Sequence, residues 1–287
     1  MTIKISEIFG GNAGDSMTLQ GEGKYAGVPS IFIRTFGCNH RCPGFGLPKG
    51  TTENEEVKEY IANIPIYKSI LEMPVAKTGC DTYMAVYPQF KNFAPKMTFL
   101  EIVENVKGRV DPNNPDIPHI VITGGEPLLP GWQKEYPNLI RQLVRENFRN
   151  FTFETNATQP LSTEFFDFVY ALTNWAFQNV EIIFSMSPKL SCSGEPEDEA
   201  IKIQVIEQYR KLAPSSYLKF VVGDEDDVKE VLAIRDRLIN PIPIYLMPVG
   251  GASVELTEKD VYHLARKNGM RFSPRLQVSL AGNGAGV

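Results

Sequence analysis

The chain has 287 residues, of which 43% are hydrophobic and 22% charged, so it can bury a core of useful size. Its formal net charge of −5, without a dense Lys/Arg stripe, argues against nucleic acid as the main ligand, because phosphate binding needs a basic surface. No apolar run approaches the roughly 20 residues of a membrane span, and the N-terminal residues form no apolar signal core. We therefore expect a cytoplasmic protein, in which four cysteines indicate metal binding or chemistry rather than a disulfide framework.

Predicted strands and helices alternate along most of the chain. Short apolar runs predict strands at residues 30–35, 119–123, 151–155, 180–185, 217–222 and 243–247, with a further strand at 276–280. Amphipathic spacing predicts helices at residues 98–107, 138–147, 163–177, 198–212, 226–238 and 257–268. The first of these helices opens on Thr98 and Glu101, which have the spacing of a capping box.

This alternation predicts an α/β fold with about six parallel strands, because continuous apolar strands are typical of a parallel sheet covered by helices. The periodicity fits an open sheet and a partial barrel equally well. Residues 43–95 interrupt the pattern with a long irregular segment, in which one short helix is predicted near 55–61. A loop of that length inside a domain usually has a function. The Gly-rich tail, residues 281–287, reads as a loose terminus.

Two cysteines, Cys38 and Cys42, follow the first predicted strand, and Cys80 lies farther along the irregular segment. Three thiolates can hold three irons of a four-iron cluster and leave the fourth iron open for a ligand. Three ordinary cysteines are an alternative. A zinc site completed by His40 or Cys192 is another.

Polar motifs stand at the ends of several predicted strands. They are Thr123–Pro127 (TGGEP), Glu154–Asn156 (ETN), Ser185–Lys189 (SMSPK) and Met247–Gly251 (MPVGG), and a lysine, Lys219, also lies inside an apolar strand. Each alone is more often structural than functional. Because ligands bind at the carboxyl ends of strands in α/β sheets, the set together indicates one rim lined for a ligand.

A further polar motif precedes the cysteines. Leu19–Gly23 (LQGEG) places a glutamine and a glutamate among glycines, and Arg34 lies in an apolar strand. A strand arginine is most often exposed or paired with a carboxylate of the protein. If buried at a site, its guanidinium suits the carboxylate of a substrate.

Taken in order, these motifs resemble the radical S-adenosylmethionine (SAM) superfamily and, within it, the 7-carboxy-7-deazaguanine synthases. The resemblance rests on LQGEG at 19–23, FIRTFGCN at 32–39, CDT at 80–82, TGGEP at 123–127, ETN at 154–156 and SPK at 187–189. It covers about the first two thirds of the chain. It implies a partial (β/α) barrel of the radical SAM type.

The chain departs from the superfamily pattern inside the cysteine motif. The usual loop is CxxxCxxC, but the position three residues after Cys42 is Phe45, which cannot bind iron. The resemblance resumes at Cys80, so we expect one radical SAM domain over residues 1–287 with an insertion at about 43–79. A smaller departure is Ala157, where the family often has glycine, and we expect little effect from it.

The resemblance implies a lyase reaction. In that family, 6-carboxy-5,6,7,8-tetrahydropterin is converted to 7-carboxy-7-deazaguanine with loss of ammonia, in 7-deazapurine biosynthesis of the queuosine/preQ0 type. A [4Fe–4S] cluster passes one electron to SAM, the resulting 5′-deoxyadenosyl radical abstracts hydrogen from the pterin, and SAM is regenerated. Mg²⁺ assists the rearrangement. A flavodoxin or ferredoxin as electron donor and a homodimer are the implied partners.

The resemblance also carries roles to particular positions. Cys38, Cys42 and Cys80 would hold the cluster, and Thr82 would hold Mg²⁺. The residues expected to bind SAM are Gly124, Gly125, Glu126, Asn156, Ser187 and Lys189. Those expected to bind substrate are Leu19, Gln20, Gly21, Glu22, Arg34 and Thr123, with Arg34 on the substrate carboxylate. The tail near Val287 would close over the substrate.

Two other functions fit parts of the sequence. A radical SAM activase would abstract hydrogen from a partner protein, but the polar set of Gln20, Glu22 and Arg34 favours a small polar substrate. A zinc-bearing structural module would leave the motifs at the strand ends unexplained.

Overall fold

A computed structural model describes residues 2–14, 18–114, 116–174, 179–250 and 255–281. Within these ranges, nine strands form one sheet in the order β3-β1-β2-β4-β5-β6-β7-β8-β9. The strands are β1 (Thr2–Gly10), β2 (Ser30–Thr35), β3 (Lys96–Thr98), β4 (His119–Gly124), β5 (Asn150–Thr155), β6 (Glu181–Met186), β7 (Tyr217–Val222), β8 (Ile244–Pro248) and β9 (Arg271–Phe272). From β2 onward each strand is parallel to the next. The result is a mostly parallel α/β sheet with β3 and β9 at its edges, as in a partial barrel.

Helices lie in the connections between parallel strands, and one more helix follows the last strand. They are α1 (Glu55–Ala62), α2 (Tyr83–Val86), α3 (Phe99–Lys107), α4 (Pro130–Gln133), α5 (Tyr136–Arg145), α6 (Thr163–Asn174), α7 (Glu197–Ala200), α8 (Ile203–Leu212), α9 (Glu225–Asp236), α10 (Glu258–Lys267) and α11 (Leu276–Ala281). Parallel neighbours need such crossovers because a tight turn cannot join them. None of the helices in the described part of the chain is long and apolar enough to cross a membrane.

The main core lies between the sheet and its helices. In α5, Tyr136, Leu139, Ile140 and Leu143 are fully buried, which is the spacing of one helix face. They belong to the same apolar cluster as the central strands, in which Phe153 is fully buried. The carboxyl ends of the strands are thereby held in one fixed row.

The predicted capping box is confirmed. Thr98 accepts a hydrogen bond from the Glu101 backbone N–H, and the Glu101 carboxylate accepts from the Thr98 N–H. Asp224 and Thr257 open α9 and α10 in the same way. These reciprocal bonds satisfy donors that the first helical turn would otherwise leave free.

Six predicted strands are confirmed, and several other sequence predictions are corrected. Residues 276–280, predicted as a strand, form α11. The single helix predicted at 198–212 is two helices, α7 and α8, and the helix predicted from Asn138 begins at Tyr136. β1 was not predicted, and it pairs antiparallel with both β2 and β3. Residues 175–178 and the tail at 282–287, with Val287, lie outside the described residues.

The long segment after the cysteines is less irregular than its composition indicates. It contains the predicted α1, then α2, with short 3₁₀ turns between and after them. Its buried side chains include Val57, Met73, Tyr83 and Phe90, which form an apolar cluster separate from the main core. The segment therefore has a small core of its own.

Candidate active site

A cavity of about 370 Å³ lies at the carboxyl ends of the parallel strands. Its wall combines the ends of β2 and of β4 to β8 with the loop after β2 and with α11. The residues of the predicted site that line it are Leu19, Gln20, Gly21, Glu22, Arg34, Cys38, Cys42, Cys80, Thr82, Thr123, Gly124, Gly125, Asn156, Ser187 and Lys189. Sequence motifs that are far apart in the chain thus meet around one space.

The cysteine loop, residues 37–42, packs directly on the glycine turn after β4. A Cβ at Gly125 would lie 2.4 Å from the Gly37 carbonyl oxygen and 2.7 Å from Cβ of Cys38, so a larger residue would clash with the loop backbone. The Glu126 N–H donates to the same Gly37 oxygen at 2.8 Å. The glycine motif therefore fixes the position of the cysteine loop.

Two backbone hydrogen bonds hold the chain around Cys80 close to the cysteine loop, although residues 43–79 separate them in sequence. The Gly79 N–H donates to the Phe45 oxygen, and the Gly37 N–H donates to the Ala85 oxygen in α2, both at 2.7 Å. All three cysteines expected to hold a cluster consequently face the same cavity.

The three thiols are protonated when no metal binds them. Burial raises the pKa of Cys38 to about 12, and it also raises the pKa values of Cys42 and Cys80. The ammonium group of Lys189 acts in the opposite direction on all three. A metal that binds these thiols must therefore displace their protons.

The donor set fits a cluster better than a single ion. Within the described ranges, no three His, Cys, Asp or Glu side chains stand close enough together to hold one metal ion. Cys192 does not line the cavity, and its Sγ lies 3.7 Å from the Val221 oxygen. His40 Nδ1 is already hydrogen-bonded to Glu195. Three thiols around one space suit a four-iron cluster, which distributes its ligands over several irons and leaves one iron open.

Glu126 is the predicted SAM-binding residue that does not line the cavity. Its side chain is fully buried, and its two oxygens accept hydrogen bonds from the Leu128 N–H, the Thr155 hydroxyl and the Asn156 N–H, at 2.7 to 2.8 Å. Burial raises the pKa of this carboxyl, while those hydrogen bonds oppose the rise. In this structure Glu126 joins the ends of β4 and β5, and its contact with SAM stays a prediction.

The other predicted SAM-binding side chains form a polar row. Asn156 Nδ2 donates to Asn39 Oδ1 at 2.9 Å, which ties the end of β5 to the cysteine loop. Lys189 Nζ lies 3.3 Å from Ser187 Oγ, and the same ammonium stands 5.9 Å from the centre of the Phe45 ring. Phe45, which stands three residues after Cys42, is part of the cavity wall.

The predicted substrate side of the cavity carries a buried charge network around Glu22. The Lys219 ammonium pairs with one Glu22 oxygen, and Gln277 Nε2 donates to the other at 2.7 Å. Burial alone would raise the pKa of Glu22, but Lys219, Arg275 and Gln277 together outweigh burial and the pKa is lowered. Burial alone would lower the pKa of Lys219, but Glu22 and Glu154 raise it. Both groups therefore remain charged at neutral pH.

Two members of this network were absent from the predicted site. Lys219 had a signal, because a lysine inside the apolar strand 217–222 is unusual. No sequence feature indicated Gln277, since it lies on α11, whose sequence pattern predicts a strand. Gln20 also lies in this network, with Nε2 donating to Glu154 Oε1 at 3.0 Å, and its contact with substrate stays a prediction.

Arg34 reaches the cavity with a carboxylate already beside it. Its Nε lies 3.4 Å from Glu7 Oε2, and its guanidinium stands 5.3 Å from the centre of the Phe9 ring. Both partners come from β1, which the sequence analysis missed. A substrate carboxylate at Arg34 would therefore share the guanidinium with Glu7.

The end of the insertion brings two more oxygen groups to the cavity. Thr82 Oγ1 lies 3.4 Å from the Cys80 sulfur, which places the hydroxyl beside the thiols. Asp81 Oδ2 lies 3.7 Å from Nη2 of Arg275, and Arg275 Nε also lies 3.9 Å from Glu22. Hydroxyl and carboxylate oxygens are donors that Mg²⁺ accepts.

The backbone of the cysteine loop is bound by a carboxylate from outside the predicted motifs. Glu195 accepts hydrogen bonds from His40, Arg41 and Cys42. Burial would raise the pKa of this carboxyl, but the hydrogen bonds outweigh burial and lower the pKa to about 2. Glu195 is therefore an anion at any pH at which the protein works.

The fold and the cavity together give a mostly parallel α/β sheet with three thiols at its carboxyl edge. The structure of QueE from Escherichia coli matches with a TM-score of 0.52 at 20% identity, over 95% of this chain and 93% of that one, and this likeness confirms the fold. No family model matches the chain.

The resemblance to 7-carboxy-7-deazaguanine synthases that the motifs indicate extends to comparison with curated proteins. The chain is 28% identical to a 7-carboxy-7-deazaguanine synthase of Halobacterium salinarum, over 97% of this chain and 90% of that protein. It is 27% identical to one of Pyrobaculum aerophilum, over 99% and 97%, and 25% identical to one of Rhodopirellula baltica, over 100% and 89%. The similarity thus extends along the whole chain, beyond the motifs of its first two thirds.

Proposed function

We propose that this chain is a radical SAM carbon–nitrogen lyase that converts 6-carboxy-5,6,7,8-tetrahydropterin to 7-carboxy-7-deazaguanine with loss of ammonia. The observation that carries the proposal is the meeting of two sets of residues in one cavity. The three thiols and the buried charges around Glu22, Lys219 and Arg34 line the same space. Full-length similarity to proteins named for this product supports the choice of substrate.

Cys38, Cys42 and Cys80 hold the cluster, which when bound supplies the electron that splits SAM and so generates the radical. Lys189 and Asn156, with the glycine turn at Gly124 and Gly125, orient SAM beside the thiols. The backbone of such a turn can approach a ligand closely because no Cβ intervenes.

The substrate occupies the side of the cavity formed by Gln20, Glu22, Thr123 and Arg34. Glu22 accepts hydrogen bonds from the N–H groups of the pterin edge, and Lys219 keeps that carboxylate ionised and fixed. Arg34 binds the substrate carboxylate by charge-assisted hydrogen bonds. Thr82 would hold Mg²⁺ through its hydroxyl.

The chain functions as one domain, in which residues 43–79 are an insertion that covers the cluster or shapes the dimer. A flavodoxin or ferredoxin supplies the electron, and two copies of the chain form a homodimer. The Gly-rich tail closes over the substrate. The activase alternative is disfavoured because the polar groups converge on a cavity of about 370 Å³ rather than on a broad docking surface.

The test is anaerobic reconstitution with iron and sulfide, followed by incubation with SAM, a reductant, Mg²⁺ and 6-carboxytetrahydropterin. Mass spectrometry should detect 7-carboxy-7-deazaguanine. Cys80→Ala should abolish the product, whereas Cys192→Ala, a matched thiol outside the cavity, should retain it. A cluster that cleaves SAM without this product would contradict the substrate. A wild-type protein that assembles no brown cluster would contradict the whole proposal.

A further inference from the structure

A single carboxylate organises the backbone of the cysteine loop. Glu195 Oε1 accepts from the N–H of Arg41 at 2.7 Å and from the N–H of Cys42 at 2.6 Å. Its other oxygen lies 2.9 Å from Nδ1 of His40. Glu195 thereby contacts three consecutive residues, the last of which is a cysteine of the site.

The loop needs such a partner because of its shape. Cys42 has a φ of 48°, a left-handed conformation that residues other than glycine seldom adopt. Consecutive N–H groups in a turn of this kind point the same way and form a concave site for an anion. With Glu195 removed, the N–H groups of Arg41 and Cys42 would lose their acceptor in a mostly buried place, and other backbone conformations would become available to the loop.

The segment that carries Glu195 is itself anchored to the loop. The Gly44 N–H donates to the Ser193 oxygen at 2.9 Å. A Cβ at Gly194 would lie 2.4 Å from the Thr51 oxygen, so this segment packs against the start of the insertion without a side chain between them. The carboxylate therefore approaches from a fixed position.

We propose that Glu195 is a positioning residue that sets the direction of the Cys42 thiol and thereby the stability of the cluster. This inference rests on the proposed function, because it concerns the same three thiols. Glu195 does not line the cavity. It acts through the backbone, as outer groups do when they orient the ligands of a metal.

The experiment compares Glu195→Ala and Glu195→Gln with the wild type after anaerobic reconstitution. Glu230→Ala is the matched control, since Glu230 binds Ser191 of the same segment from the other side. We expect the cluster of Glu195→Ala to be lost to an iron chelator about tenfold faster or more, because outer partners typically contribute that much to metal affinity. The change that SAM produces in the electron paramagnetic resonance spectrum of the reduced cluster should weaken in parallel. The rate of cluster loss from Glu195→Gln should lie between those of the wild type and Glu195→Ala, since the amide keeps one acceptor oxygen without the charge.

The outcomes separate this inference from the function on which it rests. Wild-type protein that assembles no cluster would overturn the proposed function. Wild-type protein with a cluster, together with Glu195→Ala that retains cluster and spectrum unchanged, would overturn the role of Glu195 alone. If Glu195→Ala does not fold, as judged by circular dichroism of the apo-protein, Glu195→Gln decides, and wild-type cluster retention in it would overturn the role. An equal loss in Glu230→Ala would also overturn it.

Discussion

Buried titratable side chains in this chain differ in whether an oppositely charged partner offsets the cost of removing their charge from water. Lys219 is buried, but Glu22 and Glu154 raise its pKa and keep it charged. Among the residues that the structure describes, no carboxylate is hydrogen-bonded to His119 at the start of β4, and its Nε2 lies 2.7 Å from the Thr152 hydroxyl oxygen. Burial lowers the pKa of His119 to about 4. The first side chain belongs to the cavity, whereas the second serves the fold.

His119 makes stability depend on pH. The unfolded chain binds its proton near the ordinary histidine pKa of about 6.5, and the folded chain binds it near 4. Burial of neutral His119 therefore has little effect on the free energy of unfolding above about pH 6.5. As the pH falls from about 6.5 toward 4, the free energy of unfolding decreases, because the unfolded chain gains the proton first. We expect a loss of about 2 kcal/mol in the free energy of unfolding at about pH 5 relative to pH 7.5.

Chemical denaturation of the apo-protein at both pH values measures this effect. His119→Gln should lose much less stability on acidification than the wild type. His263→Gln is the matched control, because His263 lies exposed on α10, and it should behave as the wild type does. An equal acid sensitivity in all three proteins would contradict the assignment to His119.

At the scale of elements, the cap of α1 connects the insertion to the cysteines. Asn54 Oδ1 accepts from the Val57 N–H at 2.9 Å, while its Nδ2 donates to the Pro43 oxygen and to Thr78 Oγ1. The side chain therefore joins both ends of the insertion at the start of its longest helix. Gly79 packs so closely on this amide that a Cβ there would lie 2.6 Å from Nδ2.

Replacing Asn54 with Ala should destabilise the insertion by about 2 kcal/mol, about half from the lost cap and the rest from the unpaired Pro43 carbonyl. Limited proteolysis should then cut within residues 49–75 at protease concentrations that spare the wild type. Thr257→Ala removes a comparable but exposed cap from α10, so it should cost about 1 kcal/mol without new cleavage at 49–75. Identical cleavage patterns in the two variants would contradict the role of Asn54.

The strands and helices that could be predicted from the sequence are those specified by a residue pattern within the element itself. The six central strands are continuous apolar runs because side chains on both faces of these strands are buried. β1 was not predicted because an irregularity between Ile5 and Glu7 breaks its alternation of apolar and polar residues. Residues 276–280 alternate as a strand would, yet α11 forms, and the Leu276 N–H is bound to the Gly21 oxygen at 3.1 Å. That contact spans the whole chain, so no local pattern could indicate it.

The same distinction applies to the site. Motif residues such as Cys38, Asn156 and Lys189 were predicted because they stand at strand ends or match a familiar spacing. Glu195 and Gln277 act through hydrogen bonds to residues far away in the chain, and neither has a local signal. Side chains that support a site are thus harder to find from one sequence than those that face its ligand.

At the scale of the whole molecule, the two larger apolar cores lie in different parts of the chain and differ in size. The main core spans the sheet, while the smaller core of the insertion includes Val57, Met73 and Tyr83. Small cores open more readily than large ones, so the insertion should exchange its amide hydrogens before the central strands. The thiols stand on both sides of it, with Cys38 and Cys42 before and Cys80 after.

A bound cluster should therefore stabilise the insertion more than the rest of the chain. If Cys80 holds the cluster as proposed, any opening that separates it from the cysteine loop must break an iron–sulfur bond, so metal binding and local folding would be coupled. Hydrogen exchange followed by mass spectrometry, on apo-protein and reconstituted protein, should show exchange about tenfold slower or more within residues 43–79 after reconstitution. Peptides from β7 and α9, residues 217–236, provide the internal control and should change little. Equal slowing in both regions would indicate that the chain opens as one unit, and no slowing at 43–79 would place the third ligand elsewhere than Cys80.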